Sequence, residues 1–201
     1  MTALQPSDSL ERRAYCEAGH AVMAFLILKA GIADSLFLLP VSAVERPYFV
    51  AQFEQISIKH TCSNWGAITY SLASLTTTPM VLLAGYAAER IKYNINEDVT
   101  PHCSDLTARA WHLSACYFVE YDRDDSRTDC SERDRWATEI LVERYNLVEK
   151  ELRFHWASVE VLASVLLSQE VLSRDSAFEI IENNLPEETK ARVLVIANQT
   201  G

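Results

Sequence analysis

The sequence predicts a mainly helical α+β domain with a small β-sheet of two or three strands after the first helix, and three observations carry the prediction. Helical periodicity runs almost unbroken from Pro79 toward the C-terminus, one stretch before it is rich in aromatic and β-branched residues, and no composition shift marks a boundary. Of the 201 residues 49% are apolar, enough to bury a proper core, and the length suits one domain. Five glycines and six prolines are too few and too scattered to make a flexible linker. The whole chain, residues 1–201, is read as a single domain.

Asp8 followed by Glu11 makes a capping-box-like start, apolar residues then recur at helical spacing, and Gly31 supplies a stop, which predicts a first helix over Ser9 to Ala30. The sheet is placed at Ser35 to Pro40 and Tyr48 to Ile58, where FVAQFEQISI partly alternates. Helices follow over Pro79 to Tyr93, Ser104 to Glu120, Ser131 to Arg153, His155 to Ser168 and Ser173 to Asn183. The most polar stretch, Asp122 to Asp134, reads as an exposed loop between two of them.

The formal charge of −10 argues against a nucleic-acid partner, because binding phosphates takes a basic surface that releases counterions. The first residues lack an apolar core flanked by basic ones, and no uncharged run approaches the roughly 20 residues that span a bilayer. No secretory signal and no membrane span are expected, and a cytoplasmic location follows as an expectation. Five cysteines, Cys16, Cys62, Cys103, Cys116 and Cys130, are scattered without a CxxC pair, which suggests free thiols rather than a disulfide framework or a zinc ribbon.

Chemistry concentrates at Cys16-Glu17-Ala18-Gly19-His20. Positions i and i+4 share one helix face, so Cys16 and His20 can converge on a single metal ion. In an HExxH arrangement the glutamate after the first ligand binds no metal; it takes a proton from the attacking water and passes it to the leaving amine. Glu17 stands at that place. On residue type alone Cys16 is equally a small buried hydrophobe, and His20 equally a satisfied core histidine.

The surrounding residues resemble those of a known family. RRAYCEAGHAVMAFLI is similar to the AYHEAGHAVV segment of the FtsH family of ATP-dependent zinc metalloproteases, with Cys16 in place of the first histidine. VLLAGYAAERI, from Val81 to Ile91, resembles that family's LLGGRAAEE helix, with Tyr86 where arginine is usual and Arg90 where a second glutamate is usual. VTPHCSDLTARA, from Val99 to Ala110, resembles VTTGASNDLxxAT, and Ile140 to Ile181 resembles the family's closing helices, in which a long helix leads to LAxxLLxxExL. The four segments come in the family's order and span nearly the entire chain.

What the resemblance implies is a helical zinc peptidase domain, in which Zn²⁺ is held by Cys16, His20 and Asp105 and Glu17 activates water. Asp105 also lies near a helix start, where it reads equally as a cap. Glu89 becomes either an orienting carboxylate for His20 or a plain surface glutamate. His102 and Cys103, where the family prefers small residues, either replace the lost histidine as alternative ligands or crowd the site. A Cys, His, Asp set brings the metal's net charge to about zero rather than about +1, which predicts weaker acidification of water and low activity.

The family couples such domains to an AAA ATPase module in a hexameric ring that feeds in unfolded chains. This sequence holds no GxxxxGK[ST] phosphate loop and therefore no ATP site of that kind. The partners implied are an unfolded or flexible polypeptide substrate, copies of the chain in a homo-oligomer, and a separate AAA ATPase subunit. The strand near Phe49 to Ile58 would be the edge on which substrate pairs. Two other readings compete: a catalytically degenerate FtsH-like domain serving as an interaction or assembly module, and a redox-responsive zinc site in which oxidation of Cys16 releases the metal.

Overall fold

A computed structural model describes residues 10–29, 55–57, 72–104, 107–114 and 130–189 of the chain. These form helices α1 (Leu10–Leu28), α2 (Leu72–Tyr93), α3 (107–114), α4 (Cys130–Phe154), α5 (Trp156–Gln169) and α6 (Arg174–Asn183). Two three-residue strands, β1 (Gln55–Ser57) and β2 (Val171–Ser173), complete the described elements. The fold is mainly helical, and among the described residues no helix is long and apolar enough to cross a membrane.

Helix α1 is the centre of the assembly. Every residue from Ala14 to Ile27 is buried, so beyond its first turn this stretch has no solvent face to mark with a polar stripe. It packs against α2, α5 and α6, and more lightly against α4. Phe25 meets Phe178 of α6 edge to face at 5.2 Å, and Tyr15 stacks on Trp156 of α5 at 5.9 Å. Apolar side chains from all six described helices thus bury one another, and the Cys16 to His20 stretch lies inside that core.

Short polar devices set the joints. Helix α5 ends at Glu170 in the left-handed region, φ 60°, where its N–H donates to the Leu166 carbonyl at 2.8 Å. Ser173 then caps α6 by accepting a hydrogen bond from the Ser176 N–H at 3.2 Å. A reciprocal pair begins α3: Thr107 N–H donates to Ser104 Oγ at 3.1 Å, and Ser104 N–H to Thr107 Oγ1 at 2.9 Å. Trp111 of α3 donates its indole N–H to Thr138 of α4 at 3.1 Å, and Arg144 of α4 donates to Ser114 at 3.1 Å.

Three expectations change. The helix expected to start at Pro79 starts at Leu72 and carries Pro79 inside it. Proline's fixed φ suits a first turn, but it is also compatible with a helix interior at the loss of one hydrogen bond. The expected loop, Asp122 to Asp134, and the expected helix, Ser131 to Arg153, overlap, and α4 takes the overlap from Cys130, with Glu132 favouring the helix N-terminus; 122–129 lie outside the described residues. Strand β1 falls within Tyr48 to Ile58, but it pairs antiparallel with β2, Gln55 opposite Ser173 and Ser57 opposite Val171. The described pairing is therefore long-range rather than a local sheet following α1, and Ser35 to Pro40 lies outside the described residues. Residues 115–120, the end of the helix expected over Ser104 to Glu120, lie outside them too.

Candidate metal centre

The site is built where α1 crosses α2. Gly19 of α1 faces Ala84 and Ala88 of α2, and a Cβ on Gly19 would come within 2.6 Å of Ala88 Cβ. Gly85 of α2 faces Cys16 and His20, and a Cβ there would fall inside 3.0 Å of His20 Nε2 and Cε1 and 2.8 Å from Cys16 Sγ. Interior helical glycines cost about 1 kcal/mol relative to alanine, and here the missing Cβ is what lets the two backbones approach.

Cys16 and His20 sit one turn apart and face each other, Sγ to Nε2, at 3.5 Å. Both are buried, His20 completely. The other ring nitrogen, Nδ1, lies 2.6 Å from the Val81 carbonyl of α2. A carbonyl can only accept, so Nδ1 carries the proton and Nε2 presents its lone pair to Cys16. Burial pushes the His20 pKa below its ordinary value, against the charges of Glu17 and Glu89, while Arg109 of α3 pushes it further down. The imidazole is accordingly neutral at pH 7, the form in which histidine ligates metals.

That geometry fits two ligands of one zinc ion. Bonds of roughly 2.3 Å to sulfur and 2.0–2.1 Å to nitrogen at a tetrahedral angle separate the two donor atoms by about 3.6 Å, against the 3.5 Å found. A histidine whose far N–H is fixed by a backbone carbonyl has the usual support of a metal ligand. Equally, 3.5 Å is the length of a thiol-to-imidazole hydrogen bond, so the pair is satisfied without metal.

The other expected residues are placed as follows. Glu17 is buried in α1, 2% exposed, and its charge acts on His20. Glu89 pairs with Arg12 of α1, and the His20 Nδ1–H donates to the Val81 carbonyl. Asp105 lies outside the described residues, between Ser104 and the first turn of α3. His102 and Cys103 are exposed in the segment that follows α2, where Cys103 lies 3.3 Å from both the Thr100 N–H and its hydroxyl. Burial opposes ionisation of the Cys103 thiol, but Thr100, Tyr86 and Arg90 together draw its pKa below the ordinary value. Among the described residues no three His, Cys, Asp or Glu side chains gather around one point.

Sequence reasoning missed Val81 and Gly85. Val81 acts through its backbone, which leaves no side-chain signature. Gly85 did carry one, since a glycine in the middle of an apolar helix calls for a reason. Tyr86 and Arg90, singled out in the sequence for differing from the LLGGRAAEE pattern that Val81 to Ile91 resembles, meet: Arg90 Nη1 donates to the Tyr86 hydroxyl at 2.8 Å.

A scan of protein-family models finds none that matches this chain, and no curated protein sequence matches it either.

Proposed function

We propose that this chain is a zinc-binding, FtsH-like metallopeptidase domain in which Cys16, His20 and Asp105 hold the metal. The observation that carries the reading is the Cys16–His20 pair, with Nδ1 anchored on Val81 and both side chains packed against Gly85, whose missing Cβ lets them sit there. Zinc bound there would act as a Lewis acid toward a peptide carbonyl and would lower the pKa of water. Glu17 would accept the proton released by the attacking water and return it to the departing amine nitrogen. The buried, neutral imidazole keeps its lone pair for ligation, and the Cys16 thiol must give up its proton as the ion enters, so binding weakens in acid. An extended, flexible polypeptide is the substrate class, and an AAA ATPase subunit or a ring of copies would be needed for folded ones.

One observation favours a second reading, a degenerate peptidase domain kept as an interaction or assembly module. Glu17 is 2% exposed and His20 is wholly buried, so a substrate carbonyl reaches neither without an opening motion. Two measurements decide. Zinc content of purified protein, with and without Cys16→Ala, is expected to fall from about one equivalent to near none; a metal-free wild type defeats the zinc reading. Cleavage of an unfolded casein is expected in wild type and lost in Glu17→Gln; equal inertness of both, with cleavage appearing in Cys16→His, establishes the module.

A further inference from the structure

We infer that the Arg12–Glu89 ion pair is the lid over the Cys16–His20 pair, and that the buried thiol and imidazole are reached by a swing of these two side chains. The two helices place them in register. Arg12, Cys16 and His20 stand at i, i+4 and i+8 of α1, one face of that helix, and Glu89, Gly85 and Val81 stand at the same spacing on α2. Contacts join the two rows layer by layer. His20 Nδ1–H donates to the Val81 carbonyl at 2.6 Å, Cys16 and His20 pack against Gly85, and Arg12 Nε donates to Glu89 Oε2. Exposure falls in the same direction: the Arg12 and Glu89 side chains are 26% and 14% exposed, Cys16 is 5% exposed, and His20 is wholly buried. The charged layer is thus the step between solvent and the pair, and the Glu89 carboxylate is near enough for its charge to act on His20.

This layer is also the part that can move. Long charged side chains at a solvent edge exchange rotamers far faster than packed helices part, whereas Gly19 presses the backbones of α1 and α2 together at Ala84 and Ala88. Beside the lid, Lys92 of α2 donates to the Tyr15 hydroxyl at 2.7 Å, lies over that ring at 4.3 Å and comes within 3.8 Å of Glu11. That second tie keeps the start of α1 on the end of α2 while the ion pair opens. A lid held by opposite charges loosens as salt screens them. Lid opening is independent of metal; its use as the entry for zinc or for a substrate carbonyl rests on the zinc reading above.

Alkylation of Cys16 by iodoacetamide in the metal-free, full-length protein reads the opening, followed by mass spectrometry on the peptide that carries Cys16. Arg12→Ala and Glu89→Gln are each expected to speed it on the order of 5-fold, what a well-placed ion pair holds back. Removing a cation near a thiol disfavours the thiolate and by itself slows alkylation, so a faster Arg12→Ala reports access. The charge-swapped double variant, Arg12→Glu with Glu89→Arg, should react more slowly than either Arg12→Ala or Glu89→Gln. Added salt should speed wild type and leave Arg12→Ala unchanged. Lys92→Met, which cuts the second tie, and Ser173→Ala, which uncaps α6, should change the rate little. A rise in Lys92→Met or Ser173→Ala as large as that in Arg12→Ala would mean that Cys16 is reached by parting of the helix ends or by unfolding, and would overturn the inference. Unchanged rates in both Arg12→Ala and Glu89→Gln would overturn it as well. Zinc loss to a chelator should quicken in Arg12→Ala in the same proportion as alkylation. A wild type that holds no zinc defeats the zinc reading and leaves the lid to be decided by the alkylation rates.

Discussion

Replacing Gly85 by alanine sets local preference directly against tertiary contact. In an isolated helix the change would stabilise by about 1 kcal/mol. Here the new Cβ would press on the His20 ring inside 3.0 Å and stand 2.8 Å from Cys16 Sγ. The ring has no easy retreat, since it is fully buried and its Nδ1 is held 2.6 Å from the Val81 carbonyl. Overpacking costs about 1–3 kcal/mol, and pulling the ring off Val81 would leave a buried donor unmet for about another 1–3. After the helix-propensity gain, a net loss of roughly 1–5 kcal/mol remains, or a melting temperature lower by about 2–20 °C for a domain of this size. Thermal and urea unfolding of Gly85→Ala measure it. In a His20→Ala background, which opens the space, the same change should become neutral or stabilising. Gly85→Ala as stable as wild type, or more so, would refute the crossing geometry on which the site is built.

Other consequences follow from single contacts. Ser173→Ala removes the cap of α6 and should cost about 1 kcal/mol in urea unfolding, because Ser173 Oγ accepts the Ser176 N–H at 3.2 Å. His155, fully buried, lies with Nδ1 2.9 Å from the Glu151 carbonyl and Nε2 3.1 Å from Thr189 Oγ1, and burial lowers its pKa. A histidine of depressed pKa is protonated first in the unfolded chain, so its contribution is complete above about pH 6.5 and declines as pH falls below that, by up to about 1.4 kcal/mol per pH unit. Unfolding free energies at pH 7.5 and 5.5 should differ less in His155→Gln than in wild type. Glu17→Gln should leave zinc content unchanged while abolishing casein cleavage, measured by release of labelled peptides.

The helices were legible because their apolar runs are long. Four of the predicted helices match the described ones to within two residues at each end that both define, the roughly two extra turns before Pro79 being the main departure. The partner of β1 was not legible, since an antiparallel pairing between residues 55–57 and 171–173 is set by tertiary packing rather than by a local turn. In the site, the facing of Cys16 and His20 followed from their i, i+4 spacing. The choice of Val81 over Glu89 for Nδ1 did not, because a backbone carbonyl offers no residue type to read. Tyr86 and Arg90 stood out singly as departures, yet that each departure answers the other became visible only as a contact across one helical turn.

The central claim is that one zinc ion sits between Cys16 Sγ and His20 Nε2. X-ray absorption at the zinc edge of the purified full-length protein measures it directly. The account predicts a single sulfur at about 2.3 Å with the remaining nitrogen and oxygen ligands near 2.0 Å, and loss of the sulfur shell in Cys16→Ala. Bound zinc with no sulfur in its first shell, or a spectrum that Cys16→Ala leaves unchanged, would contradict it.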